Sequence, residues 1–280
     1  MRSGLVDGVI VLAYTRHGLA WHIVRGYTHP DGMVIAQPYR GLDCRRLAEP
    51  PSTLLPCIGG RAWLVRVSDI VLRLWPEDSY RLIAASTPLD EMLGEIGAYW
   101  RGLTGSRPIG CHGRRSDYDL LAVVDARRAF RVLQRMLEEG RIEQCKSDLR
   151  EKREERVPGD ASLHPEIVER SLTDSCYHGT PFTLRLLRRL SDSVCLGSET
   201  PLGKVSFTAE IRPDWESILV PARYRVKLDN GMSVVVETWR TRYQSLPSGL
   251  YRVAGTLYYS PEGYKVKVDW DGYIAVEELW

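Results

Sequence analysis

The stretch from Leu103 to Val124, LTGSRPIGCHGRRSDYDLLAVV, constrains this chain more than any other segment. Gly105 and Ser106 end a short apolar approach. Nine residues rich in turn formers and basic side chains follow, and Asp117 and Asp119 then open an apolar run. Side chains two residues apart on a β-strand point to the same face, so the two carboxylates are expected to project together. Because neighbouring carboxylates repel each other unless a cation lies between them, the pattern predicts a cation site.

Two carboxylates beside a glycine-serine turn suit phosphoryl or nucleotidyl transfer. In such reactions hard cations take oxygen ligands from carboxylates and from the phosphates of the substrate. Gly105 lets the backbone approach a phosphate more closely than a residue with a β-carbon would, and Ser106 adds a hydroxyl donor beside backbone N–H groups. We therefore expect one or two Mg²⁺ ions at Asp117 and Asp119.

These residues resemble a known signature. Gly-Ser, nine residues and Ser-Asp-x-Asp-Leu are similar to the nucleotide-binding motif of the DNA polymerase beta superfamily of nucleotidyltransferases, in which glycine is frequent at the position of Gly110. With looser matches at His22–Arg40 and Ile218–Val226, the chain resembles a group of archaeal predicted nucleotidyltransferases of that superfamily. It departs from the commoner pattern at Tyr118, where a branched aliphatic residue is usual, and in the cysteine and histidine that follow Gly110.

The resemblance implies roles for particular residues. Asp117 and Asp119 would bind metal and take part in catalysis. A third carboxylate, from a strand beside them, would complete the metal site and accept the proton of an acceptor hydroxyl. Glu210, on the alternating segment Lys204–Arg212, is the candidate and Asp214 the alternative, while an ordinary exposed strand face is the competing interpretation of Glu210. The residues expected at the nucleotide are Gly105, Ser106, Arg107, Gly110 and Ser116.

The expected reaction is transfer of an NMP from a nucleoside triphosphate to an acceptor hydroxyl, with release of pyrophosphate. The acceptor stays open among RNA ends, a protein side chain and a small molecule. A second interpretation is a nucleotide- or RNA-binding protein that keeps the fold without catalysis, and it is favoured if the third carboxylate is absent. A structural turn capped by the two aspartates is a third interpretation, which the combined spacing and residue types disfavour.

Composition narrows the class of protein. The chain has 280 residues, enough for a sizeable core, and its net charge of +2 means that a nucleic-acid partner would need a local basic patch. Six cysteines without a C-x-x-C pair disfavour a zinc ribbon or redox motif, and most are expected to be buried thiols. The scarcity of Asn and Gln is typical of a heat-adapted source.

The sequence also predicts a soluble, cytoplasmic protein. The apolar run Val9–Ala13 is far too short to span a membrane, and the first residues lack the layout of a signal peptide. No membrane partner is expected, and the oligomeric state is left open.

The pattern of segments predicts an α+β protein in three units. These are a β-rich N-terminal unit (1–85), a nucleotidyltransferase-like domain with a mixed sheet and packed helices (86–215), and a C-terminal antiparallel β sheet or small barrel (216–280). The elements expected in the first unit are strands at Gly8–Thr15, Leu19–Tyr27, Gly32–Pro38 and Ala62–Val67 and a short helix from Ser68 to about Trp75.

The central unit should contain a helix from Thr87 that stops near Gly102 and a second one from Asp125 to about Glu139. A third helical piece is expected at Ser147–Arg156 and a strand at Pro181–Leu190.

In the C-terminal unit, five short strands alternate with tight turns. Its aromatic side chains, with Arg240 and Arg242 among them, fit base stacking, and core packing is the competing interpretation.

Overall fold

A computed structural model of the chain describes residues 4–16, 18–58, 60–114, 116–145, 164–195, 199–269 and 272–280. The architecture is mixed α+β and is dominated by three sheets, called here the N-terminal, central and C-terminal sheets. The third helical piece predicted at Ser147–Arg156 lies outside the described residues. None of the helices in the described ranges is long and apolar enough to cross a membrane.

The N-terminal sheet is antiparallel and is built by the first 75 residues. The strands of this part of the chain are β1 (Ile10–Thr15), β2 (Gly18–Val24), β3 (Thr28–His29), β4 (Met33–Gly41), β5 (Thr53–Leu55), β6 (Gly60–Ala62), β7 (Leu64–Arg66) and β8 (Ile70–Leu74). Five of them form the sheet in the order β7-β4-β2-β1-β8, and β5 pairs separately with β6. The first three predicted strands are confirmed, and the fourth is divided between β6 and β7.

The helix predicted from Ser68 to Trp75 is wrong. A single 3-10 turn at Val67–Asp69 leads into β8, which pairs with β1 along the edge of the sheet. The apolar residues of β8 satisfy their backbone groups in this pairing, which local helical propensity does not reveal. The first helix starts at Pro76, a residue suited to the first helical position.

The central sheet carries the two aspartates. Its helices and strands are α1 (Pro76–Ile83), α2 (Pro88–Glu95), β9 (Trp100–Thr104), β10 (Tyr118–Val123), α3 (Ala126–Glu138), β11 (Ile142–Glu143), α4 (Pro165–Glu169), β12 (Asp174–Tyr177) and β13 (Thr180–Leu187). The strand order is β11-β12-β13-β10-β9. β10 runs parallel to β13 and antiparallel to β9, so the predicted mixed sheet is present.

The helix that begins after Thr87 is shorter than predicted. It ends at Glu95, Gly97 follows with φ of +76°, and the aromatic and apolar residues assigned to its last turns form β9 instead. Pairing with β10 decides the conformation of this segment. The helix after Asp125 is confirmed, with the Asp125 side chain accepting a hydrogen bond from Arg128 N, and so is the strand within Pro181–Leu190.

The C-terminal sheet is antiparallel except for one pair. The remaining strands of the chain are β14 (Ser193–Val194), β15 (Thr200–Ile211), β16 (Leu219–Val220), β17 (Ala222–Lys227), β18 (Ser233–Thr238), β19 (Gly249–Ser260), β20 (Gly263–Lys267) and β21 (Tyr273–Leu279). The order is β15-β19-β20-β18-β17 with β21 on β19, and β18 is parallel to β20. The predicted strand Lys204–Arg212 is confirmed up to Ile211 as the second part of β15, which pairs with β19 in this sheet, whereas β16 pairs with β13.

The central sheet is covered on both faces. Leu120 and Ala122 of β10 pack with the helices on one face, in the largest core of the molecule. Leu121 and Val123 point to the other face and pack with Val9 and other residues of the N-terminal sheet. This two-sided burial explains why the end of the aspartate strand is continuously apolar.

All six cysteines are paired, so the expectation of buried thiols is wrong. The three bonds are Cys44–Cys111, Cys57–Cys195 and Cys145–Cys176, with Cα separations of 5.2 to 5.5 Å. The two cysteines of each bond are 31 to 138 residues apart in the sequence. Pairs so far apart cannot be recognised from a short spacing motif. The first bond ties the loop after β4 to the turn that precedes the aspartates.

The first prediction concerns this cross-link. Replacing Cys44 and Cys111 by Ser should lower the free energy of unfolding by roughly 2–4 kcal/mol, because the cross-link restricts the unfolded chain. Urea unfolding of the variant and of the unreduced protein measures the difference. Thiol titration of the denatured, unreduced protein should detect no thiol, whereas six thiols per chain would contradict the pairing.

Candidate active site

The glycine-serine turn fits closely against the second aspartate. Gly105 follows β9 with φ of +79°, a conformation that L side chains rarely adopt. A β-carbon at this position would overlap the carboxylate of Asp119. Ser106 is buried beside it and shares a hydrogen bond with the hydroxyl of Tyr39, which comes from β4. Glycine is therefore required here for two independent reasons.

Arg107 holds the two ends of the turn together. Its Nε donates to Asp117 O at 3.1 Å, its Nη2 donates to Ser116 O, and its guanidinium lies 3.7 Å from the ring centroid of Tyr118. Tyr118, which stands where the superfamily motif usually has a branched aliphatic residue, thus packs against the guanidinium of Arg107. Arg107 contributes to the shape of the turn and is not among the side chains that line the cleft.

The two aspartates face the N-terminal sheet. Asp119 lies directly opposite Thr104 on β9 and Thr183 on β13, and Asp117 precedes it by two residues. Thr183 Oγ1 donates a hydrogen bond of 2.8 Å to Asp117 Oδ2. Thr104 Oγ1 donates to Gly8 O at 2.7 Å, which fixes the N-terminal segment beside the pair. The predicted projection of both carboxylates to one face is confirmed.

The surroundings of Asp119 favour its protonated form. Desolvation, and then the charge of Asp117, raise the pKa of Asp119 to about 7, although Arg25, Arg185 and Arg107 oppose the shift. A cation between the two carboxylates would relieve both causes.

Two arginines balance part of this charge. Desolvation and the nearby Arg185 lower the pKa of Arg25 to about 10, while Asp7 and Asp119 raise it. Arg185 is buried and donates to Asp7 Oδ2 from Nε at 3.0 Å and from Nη2 at 2.8 Å. The ion pair joins the N-terminal segment to β13, the strand beside the aspartates.

A cleft of about 1340 Å³ opens above the aspartate pair and is lined by all three sheets. The N-terminal wall includes Arg25, Gln37, Tyr39 and Arg40, and the floor is formed by the glycine-serine turn and the ends of the central strands. The polar and aromatic residues of the C-terminal wall include Lys204, Trp239, Arg240, Arg242, Tyr258, Lys267 and Asp269. Sequence reasoning assigned no function to the N-terminal unit, although Arg25 and Tyr39 lie within the segment that carried part of the family resemblance.

The structure brings together five of the predicted site residues. The members of the predicted set that line the cleft are Gly105, Ser106, Ser116, Asp117 and Asp119. Gly110 closes the exposed part of the turn, where its N donates to Arg107 O, and it does not line the cleft.

The structure does not bring Glu210 to this group. Glu210 lies on β15 in the C-terminal sheet, where it pairs with Leu250 of β19, and its exposed carboxylate accepts a hydrogen bond from Arg212. The alternation of the segment correctly indicated a strand but carried no information about which sheet the strand joins. The alternative, Asp214, accepts from Glu216 N at 2.7 Å and is also outside the cleft lining.

Asp174 is an acid of the cleft that sequence reasoning missed. It starts β12 and lies directly opposite Thr183, which in turn lies opposite Asp119. Residues directly opposite on neighbouring strands share a face, so Asp174, Thr183 and Asp119 form a row across the sheet. No local pattern marks Asp174, because its position depends on the pairing of β12 with β13.

The donor set fits a magnesium ion that the substrate helps to hold. Within the described ranges, no group of three or more His, Cys, Asp or Glu side chains is arranged to bind a metal. Mg²⁺ is commonly bound by one or two carboxylates together with substrate phosphates and waters. Asp117 and Asp119 match this mode, and a site enclosed by protein ligands is not required.

Comparison of the chain with protein-family models, curated proteins and solved structures found no match.

The second prediction tests the close fit of the turn. Gly105→Ala should lower the free energy of unfolding by at least about 2 kcal/mol, since it combines an unfavourable φ with overlap on Asp119. Gly110→Ala is the matched control, because φ there is +69° but a β-carbon meets open space, and it should cost about 1 kcal/mol. Equal losses in urea unfolding would contradict the described contact.

The third prediction follows from the raised pKa of Asp119. The folded state holds a proton on this carboxyl between about pH 4 and pH 7 that the unfolded state has released, so stability falls as the pH rises through this window. Asp119→Asn should therefore be more stable than the unmutated protein at pH 8, by about 1 kcal/mol or more, and the gain should vanish near pH 4. Thermal melting without metal measures this. A gain in stability that is equal at pH 4 and pH 8 would contradict this prediction.

Proposed function

We propose that this chain is a magnesium-dependent nucleotidyltransferase with a nucleotidyltransferase-like central domain. The observation that carries the proposal is the position of Asp117 and Asp119, beside the turn at Gly105 and Ser106 on the floor of a large basic cleft. The turn offers backbone N–H groups and a hydroxyl to phosphate oxygens, and the carboxylates offer ligands to a hard cation. The family resemblance of the same residues points to the same chemistry.

In this proposal each group of residues has a separate task. Asp117 and Asp119 hold Mg²⁺, which neutralises charge on the triphosphate. The turn that starts at Gly105 binds the terminal phosphates and keeps the α-phosphorus close to the aspartates. Arg25 and Arg185 offset part of the repulsion that Asp119 experiences from Asp117.

The transfer step needs an acceptor for one proton. The oxygen of the acceptor hydroxyl forms a bond to the α-phosphorus, the bond from that phosphorus to the bridging oxygen breaks, and pyrophosphate leaves. We assign the released proton to Asp174, because it lines the cleft on the face that carries Asp119. This assignment gives Asp174 the role expected earlier of Glu210.

A non-catalytic nucleotide-binding protein is the second candidate. It is favoured by the positions of Glu210 and Asp214, which lie outside the cleft lining, and by β13, the strand beside the aspartates, which carries no carboxylate. Such a protein would bind a metal nucleotide through the same aspartate pair but would lack the base near the reacting phosphate.

The fourth prediction tests binding. Calorimetric titration with each nucleoside triphosphate should show binding that depends on Mg²⁺, because Asp117 and Asp119 repel phosphates unless a cation lies between them. Asp117→Asn combined with Asp119→Asn should remove the dependence on Mg²⁺, and the control Glu210→Gln should retain it. Equal binding with and without Mg²⁺ in the unmutated protein would contradict the metal site.

Catalysis is tested with α-labelled triphosphates and candidate acceptors. Asp174→Asn should reduce label transfer at least 100-fold while leaving binding of the magnesium nucleotide within about threefold, as expected for loss of a general base. Label transfer by Asp174→Asn at the unmutated rate would rule out Asp174 as the base. Binding without transfer to nucleic-acid, protein and small-molecule acceptors would favour the non-catalytic candidate.

A further inference from the structure

The cleft is larger than one nucleotide requires. Small-molecule sites usually occupy about 300–1000 Å³, and this cleft measures about 1340 Å³. The glycine-serine turn and the aspartates, which are assigned to the nucleotide, form only the floor of this cleft. The C-terminal wall is available to bind the second substrate, the acceptor. The charges and aromatic rings of this wall therefore indicate the chemical class of the acceptor.

The lining of the cleft is strongly basic. Nine of its described side chains are Arg or Lys and four are Asp. Arg25 and Arg185 lie next to Asp119 and Asp7, so their charge is balanced locally. The C-terminal wall presents Lys204, Arg240, Arg242 and Lys267 to the cleft and one carboxyl, Asp269, while Lys267 also pairs with Glu199 behind the lining. An acceptor with repeated negative charges fits such a wall, whereas a neutral small molecule or an average polypeptide does not.

Trp239 lies at the boundary between this wall and the aspartate site. Its indole ring packs over Gly26, the residue after Arg25, and its centroid is 5.9 Å from that of Tyr27. The ring is half-buried and lines the cleft. Arg25, Gly26, Trp239 and the two aspartates all line the same cleft, so the indole shares the cleft with the aspartate pair.

The half-buried carboxyl of Asp269 holds the segment around Trp239 in place. Asp269 accepts hydrogen bonds from Trp239 N at 3.0 Å and from Thr238 Oγ1 at 3.0 Å. Arg240 Nη1 donates to Gly272 O at 3.0 Å, and the Arg242 guanidinium lies 5.1 Å from the ring centroid of Tyr243. An aromatic ring followed by two arginines is therefore presented to the cleft by a hydrogen-bonded turn.

We propose that the acceptor is the end of a single-stranded polynucleotide and that Trp239–Arg242, called here the acceptor segment, binds it. This inference rests on the proposed transfer reaction at the same site. A terminal base stacks on the indole of Trp239, and Arg240 and Arg242 contact the phosphates behind it. Proteins that bind single strands combine aromatic stacking with a positively charged path for the backbone. A base within a duplex lacks the free face that such stacking needs.

The test measures binding of fluorescein-labelled 12-nucleotide RNA and DNA, single-stranded and duplex, by anisotropy without triphosphate. Arg240→Ala combined with Arg242→Ala should weaken single-strand binding at least tenfold. It should also reduce the slope of log K against log salt by about 1.4, since each lost phosphate contact contributes about 0.7 on a single strand. Comparison of the RNA and DNA arms shows whether the 2′-hydroxyl is recognised.

The matched control removes two positive charges elsewhere on the same sheet. Lys227 and Arg252 are exposed and do not line the cleft, so replacing both by Ala should change affinity less than threefold. Trp239→Leu should weaken binding with an unchanged salt slope, because it removes stacking but no charge. Thermal melting checks that each variant is folded.

Several outcomes would overturn the inference. The first is equal weakening of binding by the Arg240→Ala, Arg242→Ala variant and by the Lys227, Arg252 control variant. The others are duplex binding as tight as single-strand binding, and full competition by a polyglutamate peptide.

The result of this binding test can be distinguished from the result of the tests of the proposed function. Asp117→Asn with Asp119→Asn should keep oligonucleotide binding, and an unmutated protein that binds magnesium nucleotide but no oligonucleotide would contradict the acceptor inference alone. One that binds oligonucleotide but no magnesium nucleotide would support oligonucleotide binding by the acceptor segment and contradict the transferase.

Discussion

Placement of the Asp119 carboxylate between two packed sheets is the constraint on which the rest of the site depends. The face of β10 that bears the aspartates is covered by the N-terminal sheet at Leu121 and Val123, and Asp119 lies half-buried where this cover ends at the cleft. Burial and the neighbouring Asp117 favour the neutral form of Asp119, which raises its pKa. The fold tolerates this cost because Arg25 and Arg185 lie close by. Such unfavourable burial is common where a protein prepares a site for a ligand.

The three sheets are interdependent at this point. Asp7, at the start of the N-terminal sheet, binds Arg185 of the central sheet, and its other oxygen accepts from Gly26 N next to Trp239. Tyr27 donates from its hydroxyl to Val220 O, near the start of the C-terminal unit. The Cys44–Cys111 bond adds a covalent link between the loop after β4 and the segment that follows the glycine-serine turn. The cleft is thus a product of the whole fold, and the N-terminal unit contributes one of its walls.

Sequence reasoning succeeded where the signal was local. The glycine-serine turn, the shared face of the two aspartates and the helix capped by Asp125 each depend on residues within a few positions of one another. It failed where pairing between distant strands decides the outcome. The residues after Glu95 form β9 because β10 lies beside them, and β15 joins the C-terminal sheet, which takes Glu210 away from the aspartates. Neither pairing has a signature in the segment itself.

The remaining site residues were hidden for the same reason. Arg25 and Asp174 enter the cleft because their strands are placed opposite or beside the central strands, and only the assembled sheets show this. The cysteines pair across 31 to 138 residues, which spacing cannot reveal. The sequence therefore predicted the residues on the floor of the cleft, whereas the residues of its walls became evident only from the structure.

Anomalous diffraction from crystals soaked with Mn²⁺ and a non-hydrolysable triphosphate tests the central claim most directly. The account predicts a manganese peak bound to carboxylate oxygens of both Asp117 and Asp119, at roughly 2.0–2.3 Å. The terminal phosphates should lie against the backbone N–H groups that follow Gly105. A triphosphate bound at another surface, or a manganese peak away from both aspartates, would contradict it.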